Sequence, residues 1–122
     1  MRLRGLVFER FGAFERAEVD LCDESGAPLN VVLFVGDADS GKTSLLRGIA
    51  GLLTEGVGAG TELHESDVRR GETSARCRVV FDDVVQGTRI VVTLERELPN
   101  PVLRAVPPEA FERWRRAVAA EV

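Results

Sequence analysis

An α/β fold follows from three features of this sequence. The apolar run Val31-Val32-Leu33-Phe34-Val35 leads straight into a glycine-bounded loop, and that loop opens onto a stretch whose apolar residues recur at helical spacing. Segments of alternating polarity lie on both sides of this unit, as half-buried strands do.

The opening segment Arg2-Leu3-Arg4-Gly5-Leu6-Val7-Phe8 alternates over its first half and predicts a strand ending at Glu9-Arg10. Gly12 permits a chain reversal, which pairs this strand with a second one over Phe14-Glu15-Arg16-Ala17-Glu18-Val19-Asp20-Leu21. The stretch from Asp23 to Pro28 is a turn by composition. Residues 31–35 show no alternation, which fits a central parallel strand buried on both faces. From Thr43 onward Leu45, Leu46, Ile49, Ala50, Leu52 and Leu53 place apolar groups on one side of a helix of about three turns. Between Thr54 and Ser66 the glycines follow no period and predict a loop. Ala75 to Phe81 and Thr88 to Arg96 predict an antiparallel pair joined by a turn around Gln86-Gly87. Pro99, Pro101 and Pro107 break regular structure, and Pro108 with Glu109 opens a last helix. In that helix Phe111, Trp114 and Val118 share a side that needs a partner surface, in this domain or in further sequence.

The chain has 122 residues, enough for one core. It carries 16 Lys and Arg against 20 Asp and Glu, a net charge of −4 that argues against a chain coated in basic residues for nucleic acid. No run approaches the ~18 apolar residues that span a bilayer, and the N-terminus lacks the features of a secretory leader, so a cytoplasmic location with no membrane partner is expected. Cys22 and Cys77 are distant from each other and from any ligand at metal spacing, and read as packing residues.

Gly36-Asp37-Ala38-Asp39-Ser40-Gly41-Lys42-Thr43 satisfies G-x-x-x-x-G-K-S/T at every fixed position, between the buried strand and the amphipathic helix. In such a loop the glycines let the backbone wrap closely, successive amides point at phosphate oxygens, and the helix N-terminus adds partial positive charge. Lys42 would reach the β- and γ-phosphates, and the Thr43 hydroxyl would ligate Mg²⁺. Lys42 is the only lysine among the sixteen basic residues, and it stands where the motif needs one. The nucleotide-binding set is Gly36, Asp37, Ala38, Asp39, Ser40, Gly41, Lys42, Thr43 and the adjoining Ser44. Asp37 and Asp39 oppose phosphate binding unless they point outward or share the metal.

The order of these elements resembles the N-terminal part of ABC-type ATPase heads of the SMC and RecF-like group, which also look like many AAA family proteins with ABC-type cores. The resemblance is carried by the opening strand with its aromatic corner Phe11-Gly12-Ala13-Phe14, the phosphate-loop strand, the Lys42 helix and the later antiparallel pair. Phe11 and Phe14 also read simply as core residues. The resemblance implies a P-loop NTPase fold in the form of a partial head with an antiparallel β subdomain and a C-terminal helix. Residues 1–98 would form the ATP-binding lobe and 99–122 a Pro-rich connector and amphipathic helix. ATP and Mg²⁺ are the implied cofactors. A second ATPase head or a missing C-terminal half is the implied partner, with DNA suggested by the family alone.

The sequence departs from the family where Ala38 and Asp39 replace its Asn and second Gly. It shows no convincing Q-loop, signature motif or Asp-Glu strand end, so the chain reads as an ATPase half that binds ATP without a full hydrolytic set. Val79-Val80-Phe81-Asp82-Asp83 resembles that strand end, but Arg76 and Arg78 predict a solvated face instead, and Gln86 reads as a turn residue. A small Ras-like GTPase is the competing reading; its guanine-specifying N-K-x-D motif needs another lysine, which the chain lacks. A non-enzymatic interaction domain with a relic loop is the third.

Overall fold

The structure is a computed structural model and describes residues 1–29, 41–58 and 63–120. The expected phosphate-loop strand at 31–35 and loop residues 36–40 lie outside the described residues. The described elements are β1 (Arg2–Phe11), β2 (Phe14–Asp20), α1 (Lys42–Gly56), β3 (Ala75–Val85), β4 (Thr88–Leu98), β5 (Leu103–Val106) and α2 (Pro108–Ala120). The strands form an antiparallel sheet in the order β2-β1-β3-β4-β5. Among the described residues no helix is long and apolar enough to cross a membrane.

Alternation along β3 decides what each face does. Ala75, Cys77, Val79 and Phe81 are buried on one face, while Arg76, Arg78 and Val80 are half-buried on the other. The buried face carries two adjoining clusters. Beneath α1, Leu45, Ile49 and Leu52 pack with Leu6, Phe8 and Val79. Beneath α2, Trp114 packs with Phe81, Val92 and Leu94, its ring centroid 4.7 Å from that of Phe81. The apolar side of α2 therefore finds its partner on the sheet of the same chain. The opposite face is laced by cross-strand ion pairs such as Arg76 with Glu95 and Arg16 with Glu9. Burial pushes the Cys77 thiol up to about 12, with Asp67 acting in the same direction and Arg96 against it, as suits a packing residue.

The β1–β2 and β3–β4 hairpins form where alternation and turn chemistry predict them. Gln86 and Gly87 take positive φ values of 51° and 78°, the two-residue turn that matches the twist of paired strands. Three boundaries differ from expectation. β1 runs on to Phe11. α1 continues through Gly56, whose missing side chain lets the helix approach β4 and α2; a Cβ there would meet Leu94 Cδ1 at 3.3 Å. β5 forms between prolines that read as breakers, because none falls within Leu103–Val106 and the strand pairs with β4 from Thr93 to Arg96.

Gly48 shows how closely α1 lies on the sheet. A Cβ at this position would come 2.6 Å from Cζ of Phe8, a fully buried ring stacked on Phe11. Gly48→Ala is expected to lower stability, because overpacking by about 1–3 kcal/mol exceeds a helix-propensity gain of about 1 kcal/mol. A lower urea midpoint with unchanged slope is the expected measurement.

Candidate functional site

The described part of the phosphate-loop motif is the start of α1. Gly41 adopts φ 85° and ψ 7°, a left-handed conformation that glycine reaches without strain, and its carbonyl accepts the Leu45 N–H at 3.0 Å. The backbone N–H groups of Lys42, Thr43 and Ser44 follow, at the end of the helix where intrahelical acceptors run out. No acidic residue occupies this first turn. Lys42 and Thr43 are exposed, Ser44 is half-buried and Gly41 is buried. The end of α1 thus offers main-chain donors, an ammonium and a hydroxyl together, a set suited to an anion.

Gly41, Lys42, Thr43 and Ser44 are the predicted site residues that the structure brings together. Gly36, Asp37, Ala38, Asp39 and Ser40 lie outside the described residues.

Two neighbours reach this helix end. The tip of the β1–β2 hairpin is one: Ala13 N–H donates to Ser44 Oγ at 3.1 Å, and the Phe14 ring lies where a Gly41 side chain would be, 2.6 Å from an added Cβ. The other is the segment around a short 3-10 turn at Glu65–Asp67. Gly12 N–H donates to Asp67 O at 2.8 Å, Arg69 N–H donates to Arg10 O at 2.7 Å, and Arg69 Nη1 reaches Ala13 O at 3.4 Å. Arg47 of α1 donates to both carboxylate oxygens of Asp67, at 3.3 and 3.1 Å. Arg69 and Asp67 belong to no motif of their own, and the partners that tie them to the hairpin tip and to α1, Gly12, Ala13 and Arg47, are far away in the chain.

A model of the AAA domain family matches residues 1–62, just over half of the chain. The chain belongs to the AAA domain family. Its members are P-loop NTPases, and membership implies nucleotide binding in general terms. No curated protein matches the chain. The family match spans β1, β2 and α1, so the hairpin tip and the helix end described above both fall within it.

The strand end Asp82-Asp83, which resembles the acidic strand end of the family, lies in β3. Asp82 sits near the far end of β3, where Arg89 and Arg4 donate to its Oδ2 at 2.6 and 3.1 Å. Asp83 faces the amino group of Met1 at 3.1 Å. Both carboxylates are thus matched by cations of the protein itself, and among the described residues no group of three or more His, Cys, Asp or Glu could hold a metal ion. Burial disfavours the Asp82 carboxylate, but hydrogen bonds from Arg89 and Arg4 outweigh it and hold its pKa below the ordinary 3.8. A depressed native pKa contributes stability that is complete above the unfolded-state value and is lost as pH falls through the native one. Unfolding free energy is accordingly expected to decline below about pH 4, and Asp82→Asn to flatten that decline in urea titrations taken at successive pH values.

Proposed function

We propose that this AAA domain binds ATP with Mg²⁺ at the N-terminal end of α1, as the ATP-binding lobe of an SMC/RecF-like ATPase head. The observation that carries the reading is the left-handed Gly41 opening a helix whose first exposed side chains are Lys42 and Thr43, with no acid in that turn. Lys42 would neutralise the β- and γ-phosphates, main-chain amides would take the remaining oxygens, and Gly36 to Ser40 would complete the cradle. Thr43 would hold the magnesium ion. An exposed hydroxyl at the first turn fits that role, and magnesium when bound would offset the phosphate charge.

Adenine rather than guanine follows from the SMC/RecF resemblance and from the chain's single lysine, which cannot serve both the phosphate loop and a guanine-specifying motif. Hydrolysis would need groups contributed by a second head or by further sequence, and DNA would be the cargo by resemblance alone. The expected location is the cytoplasm. Calorimetric titration with magnesium-ATP and magnesium-GTP tests the proposal: saturable binding of ATP, weakly displaced by GTP, is expected. Preference for GTP would move the chain to the Ras-like reading, and no nucleotide-dependent heat or rise in melting temperature would leave only the relic loop.

A further inference from the structure

We propose that Ser44, shared between ligand and hairpin, and Phe14, a positioning residue behind Gly41, couple the β1–β2 hairpin to occupancy of the nucleotide site, so that nucleotide binding and hairpin order reinforce each other. The coupling rests on the nucleotide-binding reading and adds a regulated element to that site.

Ser44 and Phe14 act on the same junction from two sides. The Ser44 hydroxyl accepts the Ala13 N–H at 3.1 Å, and Gly12 sits so close that an added Cβ would come 2.3 Å from Ser44 Oγ. The Phe14 ring backs Gly41, the residue whose left-handed φ of 85° turns the chain into α1. Any side chain at Gly12 or Gly41 would push the hairpin away from the helix, so these glycines permit the contact as much as they shape the turns. The hairpin tip is tied back to α1 by a second route, in which Gly12 N–H meets Asp67 O and Asp67 takes the Arg47 guanidinium.

A hydroxyl has one donor and two acceptor positions. Accepting from Ala13 leaves the Ser44 O–H for an acceptor at the helix end. An anion taking that hydrogen would polarise Oγ and strengthen its bond to Ala13, since linked hydrogen bonds reinforce one another. Reciprocity then requires that whatever loosens the hairpin weakens the nucleotide by the same factor.

The test combines amide hydrogen exchange on the full chain, with and without a magnesium-bound non-hydrolysable ATP analogue, with calorimetry on wild type, Ser44→Ala and Phe14→Leu. In wild type the analogue is expected to slow exchange at Gly12 and Ala13. Each variant is expected to bind about tenfold more weakly, the size of one ordinary hydrogen bond or contact, and to lose the nucleotide response at Ala13. A role confined to packing would leave Ala13 exchange in wild type indifferent to nucleotide. That indifference in a protein that binds the analogue, or full affinity in Ser44→Ala, overturns the coupling while leaving nucleotide binding intact. Wild type that binds no analogue overturns the parent reading and the coupling with it. Should Ser44→Ala fail to fold, wild-type exchange and Phe14→Leu still decide.

Discussion

Lys42→Ala is expected to weaken magnesium-ATP binding by about a hundredfold, the loss that removing a charge-assisted contact of ~3 kcal/mol carries. The side chain is exposed at the first turn of α1, so its removal should leave the core beneath Leu45 and Ile49 untouched. The separation of binding from folding is itself checkable, because the variant should show the wild-type melting temperature without nucleotide and lose the nucleotide-induced rise. Lys42 is also the only ε-amino group of the chain. Apart from the Met1 α-amino group it is the one amine to acylate, so modification mapped to Lys42 by peptide mass reports on this side chain, and bound nucleotide should protect it in wild type. Equal affinity in the variant, or acylation unaffected by saturating nucleotide, would remove the lysine from the site.

Arg96→Met is expected to lower stability by about 3–5 kcal/mol, the cost of breaking a buried ion pair from one side. Arg96 is 5% exposed and its Nη1 donates both to Glu55 Oε1 at 2.7 Å and to Leu63 O at 2.9 Å, while Nε donates to Asn100 O at 3.0 Å. One guanidinium thus joins the end of α1, the segment entering the 3-10 turn, and the connection from β4 to β5. Methionine keeps much of the volume but withdraws the cation facing the Glu55 carboxylate. A loss this large is a substantial part of the ~5–15 kcal/mol that a domain commonly has. Far-UV circular dichroism in urea measures it. Adding Glu55→Leu to Arg96→Met should restore part of the loss, because two apolar groups avoid the buried charge.

The two hairpins were legible in the sequence because alternation and turn residues spoke together. Gln86-Gly87 demands positive φ, and the flanking odd positions of β3 are all apolar from Ala75 to Phe81. The start of α1 after Gly41 was legible for a related reason, since apolar residues recur at helical spacing from Leu45 onward. Tertiary contacts hid the rest. Gly56 reads as a helix breaker in isolation, yet the close approach of Leu94 and Trp114 keeps the helix going to that point. β5 is four residues long and gains its identity from the neighbouring β4 rather than from its own pattern. Nothing in the spacing of Arg47 and Asp67, twenty residues apart, announces that they meet beside the hairpin tip.

The indole of Trp114 has one further consequence. It is the only tryptophan in a chain without tyrosine, and it lies 3% exposed against Phe81 in the cluster beneath α2. Intrinsic fluorescence is therefore a local optical reporter for that half of the core, and the half beneath α1 is spectroscopically dark. Emission that reddens in step with the loss of backbone ellipticity would mark the two halves as a single cooperative unit, and emission that reddens first would reveal α2 peeling away ahead of the sheet.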